Sequence, residues 1–481
     1  MEKTLFVLLC LLIWLLPLPF GGNIEWAVFG FEVSVFVLFL IFMFSQIKRK
    51  EYQKVSSVSG GTLFSLFLVL ISIFFIVCLT QIVPLPSSAV RILSPAAWQW
   101  RQALVSTGLF ENETFNTQTV SLSPWSSAYE VVKYLAFAAF VFLLSKSVST
   151  VKRARALALV LVSAGVFQSL YGLSEYFSGT NRIFTWVNRY YSGSAFGTFV
   201  NRDHYSAFLE MIFPLSLGYF LVRADYFALK PGLSLRQKIA SFGQEKVQKS
   251  IIFILPPVII GIGLLFSRCR SGIIILVVTF FLTLLLLSLT GVTGTRKTEK
   301  RLVKMVIFLV ILSVLLIGME PILERFTYGG FFDHNRILFY NYTTGLMTDY
   351  PLTGAGLGTY VQAINPYVQK DLYIILSHAH NDYLEMLAET GFIGGGSLIL
   401  AGFLGLGLAW KRWLKASDPL ARGIGLGAMM GVFSLFFHSL TDFSLRMPGN
   451  AIMWLSLFVL CLKVPLLSRK DLEAGLESGF R

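Results

Sequence analysis

The chain has 481 residues, of which 55% are hydrophobic, 15% aromatic and only 14% charged, with a mean hydropathy of +0.69. Soluble domains carry about 25% charged residues, so a soluble globular protein is excluded. Solid apolar runs of about 20 residues also exclude a β-barrel, whose strands alternate. The net charge of +14 then reads as loop charge on a membrane protein, and no nucleic-acid partner is assigned.

The apolar runs predict an all-α polytopic integral membrane protein of about 12 transmembrane helices, near 4–20, 26–46, 62–83, 129–146, 156–177, 205–222, 250–267, 272–290, 303–318, 391–410, 422–441 and 450–466. The first run is long and a second follows at once, so it reads as an uncleaved helix rather than a signal peptide. Cys10, Cys78, Cys269 and Cys461 lie in or beside apolar runs without paired spacing and read as core thiols. Three connecting segments are sizeable. Residues 84–128 hold Trp98, Trp100 and Trp125, as an interfacial segment does. Residues 179–204 are polar and aromatic. Residues 319–390, between the ninth and tenth spans, form the longest. The tail after 466 is short and polar and is expected to be unordered.

An even number of spans puts both termini on one side. The segments on that side hold 28 of the 40 basic residues, so the termini are read as cytoplasmic. All five histidines fall on the other side or at its border. So do Arg202, Arg268, Arg270, Arg336 and Arg446, against the charge rule. Arg268 and Arg270 occupy a very short turn, and together with Arg202 and Arg336 they suit a phosphate or pyrophosphate, which guanidinium binds bidentately; lipid headgroups are the other reading.

The densest polar stretch runs from Ser377 to Glu389. Asn381 is placed to cap a helix that begins at Asp382, with Leu384, Leu387 and Ala388 on one face and Asp382, Glu385 and Glu389 on another. Gly391 breaks or bends the chain into the tenth span. His380 therefore stands at a helix N-terminus, which disfavours the imidazolium, so it reads either as a general base or as a polar interfacial histidine. His378, His380 and Asp382 have the side-chain types of metal ligands, but no carboxylate-rich motif accompanies them and no metal is assigned. Gly354, Gly356 and Gly358 lack the βαβ surroundings of a nucleotide site. His438 and Asp442, four apart, are expected on one helix face, either toward a shared cavity or as a structural pair.

Five segments in order resemble the O-antigen ligase and O-antigen polymerase superfamily of bacterial envelope glycan transferases. They are residues 196–218, SRCRSG at 267–272, DYPLTGAGLGTY at 349–360, His380-Asn381 followed at fixed spacing by Gly391 and Gly394, and HSLTDFSLRMP at 438–448. The resemblance covers roughly residues 190–450. It divides the chain into N-terminal helices (1–178), a catalytic membrane region (179–466) that includes the loop 319–390, and a cytoplasmic tail (467–481). It implies the bacterial inner membrane, a periplasmic active site, and a donor glycan on undecaprenyl pyrophosphate. His380 would act on an acceptor hydroxyl, with inversion. Arg270, with Arg268, Arg202 and Arg336, would hold the pyrophosphate. His378, Asn381, His438 and Asp442 are further candidate substrate-binding residues. No metal or other cofactor is demanded, because pyrophosphate is already a good leaving group. The acceptor would be lipid A–core, another glycan or a protein hydroxyl. Gly395 and Gly396 replace the two threonines common in core ligases, which keeps a polymerase in view. A transporter of lipid-linked sugars would instead cluster its polar residues at the midplane.

Overall fold

The computed structural model describes residues 2–48, 62–107, 116–223, 245–290, 334–369 and 375–478. The expected ninth span at 303–318 lies outside these, as do parts of the loop 319–390 and several of the basic connections. The described chain is almost entirely helical: α1 (Glu2–Leu15), α2 (Glu25–Lys48), α3 (Thr62–Ile82), the short α4 (Ser87–Leu93) and α5 (Pro95–Ser106), α6 (Pro124–Ser147), α7 (Val151–Ser178), α8 (Arg202–Arg223), α9 (Glu245–Phe266) and α10 (Arg270–Thr290). After these come α11 (His334–Asp349), the one-turn α12 (Tyr360–Ile364), α13 (Asp382–Leu414), α14 (Pro419–His438) and α15 (Pro448–Ser478). Two antiparallel pairs of two-residue strands, β1 (Leu85–Pro86) with β2 (Thr117–Gln118) and β3 (Arg182–Ile183) with β4 (Trp186–Val187), are the sheet among the described residues.

Eight of the described helices are long and apolar enough to cross a membrane: α2, α3, α6, α7, α10, α13, α14 and α15. The first expected span is the 14-residue α1. The sixth is α8, which is buried from His204 to Leu221 and forms the centre of the bundle. All four cysteines are free and buried. The tail differs from expectation: α15 continues to Ser478, through a run of good helix formers that includes Lys470, Leu472, Glu473 and Ala474.

Two features of the packing position the site. The first is a stripe of glycines on α14. A Cβ at Gly427 would lie 2.5 Å from the Pro214 carbonyl oxygen, and one at Gly431 would lie 2.2 Å from that of Met211. Bare backbone at this spacing lets α8 and α14 approach more closely than side chains allow. The second is the kink in α13 at Gly391, with φ 66° and ψ −179°. The kink leaves the carbonyls of Ala388 and Glu389 open to the amides of Ala355 and Gly356, both at 2.9 Å, while Phe392 N donates to Pro351 O at 2.8 Å. The Gly354-Ala355-Gly356 segment is thus a backbone splice onto α13. Gln81 of α3 clasps it from behind, donating to Thr353 O (2.6 Å) and Glu389 O (2.8 Å) and accepting from Leu357 N (2.9 Å).

Helix ends alternate between two faces of the bundle. At one face Arg153 meets Glu2 at 3.4 Å and donates to Ser147 O, and Arg422 donates to Ala416 O. At the other face lie the end of α14 and the starts of α8, α10, α13 and α15.

Candidate active site

Asp442 stands between α14 and α15 and is completely buried. His380 Nδ1 lies 3.3 Å from its Oδ1, His204 Nε2 lies 3.4 Å from its Oδ2, and His438 Nε2 lies 4.0 Å from the same oxygen. Ser444 Oγ donates to Oδ2 at 2.9 Å. Burial alone would raise this carboxyl, but His204 first, and then His380 and His438, outweigh it and hold Asp442 well below the usual carboxylate range. The His438–Asp442 contact has the expected i,i+4 spacing. The helix itself ends at His438, and one further turn, in which the amides of Thr441 (2.8 Å) and Asp442 (3.1 Å) both donate to His438 O, sets the carboxylate there. On its other side His438 Nδ1 meets Glu210 of α8 at 2.9 Å, both groups fully buried, as the glycine stripe permits.

His380 is held from several directions. Its own φ is +51°, a left-handed conformation uncommon for a side chain of this size. Asn381 caps α13 as expected: Oδ1 accepts from Tyr383 N and Leu384 N, and Nδ2 donates to Leu440 O at 2.9 Å. The amide of Asn381 therefore ties His380 to the α14–α15 turn. Tyr340 Oη lies 3.1 Å from both His380 O and Leu440 O. The imidazole itself is 30% exposed. With Nδ1 directed at a carboxylate, Nε2 is the nitrogen left to act on a ligand.

His378 forms a second histidine–carboxylate pair, Nδ1 to Glu385 Oε1 at 2.9 Å, and is 29% exposed. The ring of Phe443 separates the histidines. It stacks on His378 (centroids 3.9 Å apart) and meets His380 (4.9 Å) and His204 (4.6 Å) edge-on.

The acidic face of α13 is buried, not solvated. Arg446 pairs with Glu389 and reaches Glu385 at 3.4 Å; Asp382 accepts from Ser439 Oγ and Leu445 N. Burial works against the Arg446 charge, but Glu389 and Glu385 more than compensate and hold the guanidinium firmly protonated. This explains why Arg446 is retained against the charge rule.

The other arginines form a rim. Arg336 Nη2 meets Asp203 Oδ2 at 3.4 Å, and the guanidinium of Arg202 lies 5.4 Å over the ring of Tyr191. The Tyr191 hydroxyl is pushed up to about 12 by burial and by Asp203, with Arg202, Asp442 and Arg336 also within electrostatic reach. Arg268, with φ +55°, passes within 3.6 Å of where a Cβ at Gly193 would sit. The Nε atoms of Arg202 and Arg268 are buried without a hydrogen-bond partner among the described residues. Arg270 is the first residue of α10 and half-buried. Two residues on, Gly272 packs against Ser206 and Glu210, with no room for a Cβ.

Residues 256–399 match the model of a family described as O-antigen ligase. This segment, which is less than half of the chain, is similar to the O-antigen ligase family. No curated protein matches the chain. The matched segment contains Arg268, Arg270, Arg336, His378, His380 and Asn381. Arg202, His438 and Asp442 lie outside it, as do four residues that sequence reasoning did not single out for the site: Asp203, His204, Glu210 and Arg446. His204 carried a legible signal, being one of only five histidines. Glu210 carried one too, as a carboxylate within an apolar run.

Proposed function

We propose that the protein moves a glycan from undecaprenyl pyrophosphate to an acceptor hydroxyl at the periplasmic face of the bacterial inner membrane, with both termini cytoplasmic. The observation that carries this reading is the pairing of a partly exposed His380 with the buried Asp442 at one face of an apolar bundle, beside guanidinium groups with nitrogens unpartnered among the described residues. His380 Nε2 takes the proton of the acceptor hydroxyl as its oxygen attacks the anomeric carbon. Asp442 orients the imidazole and stabilises its charge after transfer. The C–O bond to the pyrophosphate breaks on the opposite side of the sugar, giving inversion, and the bonding electrons leave with the phosphate oxygen. Arg270, Arg268, Arg202 and Arg336 stabilise that charge without a metal ion. The acceptor is lipid A–core or a related glycan; a growing O-antigen or exopolysaccharide chain as acceptor makes the protein a polymerase.

A second assignment of the base is favoured by one observation: the His378–Glu385 pair has the same design, and His378 lines a cavity that His380 does not. The test is transfer in reconstituted vesicles with a defined polyprenyl-pyrophosphate glycan and candidate acceptors, with and without a chelator. His380→Ala is expected to lower turnover by about 10²–10⁴-fold, the usual worth of a general base, with the protein still folded and inserted. Full activity in His380→Ala and loss in His378→Ala would transfer the role to His378. Loss of activity in the chelator would overturn the metal-free reading.

A further inference from the structure

Beside the histidines lies a cavity of about 520 Å³, within the range of about 300–1,000 Å³ typical of pockets that bury an organic ligand. Its walls come from five separate parts of the chain: the link between α1 and α2 (Phe20, Asn23), β4 (Trp186), the start of α8 (Asn201, His204), the strand-like approach to α13 (Ser377, His378), and the turn before α15 (Phe443). Phe20 and Trp186 form an edge-to-face pair at one side, with ring centroids 5.4 Å apart, and Trp186 is 37% exposed. Phe443 forms part of the opposite wall, with His378 stacked on it.

The polar groups in the cavity have unused hydrogen-bonding capacity. The side chains of Asn23 and Ser377 have no hydrogen bond among the described residues; Asn201 uses Oδ1 to accept from Asp203 N, and its Nδ2 is unengaged. His378 uses Nδ1 on Glu385, which leaves Nε2. Flat aromatic rings beside scattered neutral donors and acceptors suit a ligand with apolar C–H faces and hydroxyl edges, which is the chemistry of a sugar ring. Among the described residues no Lys, Arg, Asp or Glu lines the cavity, which disfavours the pyrophosphate or a strongly charged peptide there. The geometry is also held at a cost. Phe20, Gly21 and Gly22 have φ of 54°, 72° and 78° in succession, and such backbone persists only where its surroundings impose it. Phe199 does so by packing on Gly21, where a Cβ would lie 2.4 Å from its ring, and Thr198 Oγ1 does so by donating to Pro17 O at 2.8 Å.

We infer that this cavity is a saccharide-binding subsite, which holds sugar residues next to the reacting hydroxyl or the reacting anomeric carbon. The inference rests on the glycan-transfer reading and deepens it. It also gives the N-terminal 178 residues, which lie outside the matched segment, a part in choosing the glycan.

The test is saturation-transfer NMR on the full chain in detergent. One probe is the water-soluble glycan released by mild acid from the native host's polyprenyl-pyrophosphate pool; the other is the delipidated oligosaccharide of that host's envelope glycolipid. One of the two is expected to bind, and which one does assigns the subsite to donor or acceptor. Trp186→Ala is expected to weaken that binding at least tenfold, Trp186→Phe to retain most of it, and the exposed pair Asn23→Ala/Ser377→Ala to weaken it without loss of folding. Binding of neither saccharide, or undiminished binding in both Trp186→Ala and Asn23→Ala/Ser377→Ala, overturns the inference. His380→Ala should bind the saccharide as the parent does. Unimpaired transfer by His380→Ala alongside lost binding in Trp186→Ala would remove the base and leave the subsite standing.

Discussion

The centre and the rim of the site handle charge in opposite ways. At the centre one fully buried carboxylate, Asp442, faces three histidines, and one of them, His438, is backed by Glu210. Arg446, close by, is enclosed by Glu385 and Glu389. At the rim, Arg336 has one 3.4 Å partner, and Arg202 and Arg268 keep buried nitrogens unpaired. A compensated buried network fixes geometry, and its loss is costly. A partly compensated cationic rim holds its remaining capacity for an anion that arrives and leaves. On the proposed reading, the centre positions a base and the rim binds and releases the pyrophosphate.

The strongest way to break this contrast is Arg446→Ala. It strands two buried carboxylates and is expected to cost about 3–5 kcal/mol, read as loss of monodisperse protein in detergent; a well-folded variant would refute the structural role. Next is Asp442→Asn, which keeps the shape and removes the charge. Turnover is expected to fall by about 10²-fold or more, with donor affinity nearly unchanged in a vesicle binding assay. Arg336→Lys addresses the rim. A lysine keeps the charge but loses the planar fork, and donor KM is expected to rise about tenfold, or about 1.4 kcal/mol, with the melting temperature unaffected. The smallest effect is on pH. Because the Asp442 carboxyl is held low in the folded state, its stabilising contribution is complete above its unfolded value of about 3.9 and is lost as pH falls toward the folded value. The melting-temperature advantage of the parent over Asp442→Asn should thus shrink as pH falls below about pH 4; a gap that widened on acidification would reverse the sign.

Much of the candidate site was legible locally. Asn381 as a cap, Asp382 as the first residue of α13 and Gly391 as a break each follow from short-range backbone chemistry, and the structure has all three. The acidic face of α13 was legible as a face, but not as a buried one. Its partner, Arg446, is 57 residues from Glu389, and no local pattern encodes that pairing. The spacing of four between His438 and Asp442 was legible, and the contact is the i,i+4 one, although the helix itself ends at His438. Glu210 lies 228 residues from His438, and only the α8–α14 contact joins them.

By itself the sequence determined the membrane class, most of the helix positions, the capped start of α13 and the resemblance to O-antigen ligases, because these follow from hydropathy, capping and motif order along a continuous stretch of chain. Tertiary structure alone decided which carboxylate faces which histidine, that the Gly354–Gly356 segment splices onto the α13 kink, and that Phe20 and Trp186 reach the cavity beside His378. The physical reason is range. Backbone propensity and hydropathy act over a few residues, whereas compensation of buried charge and close helix packing act through space, between residues that only the completed bundle brings together.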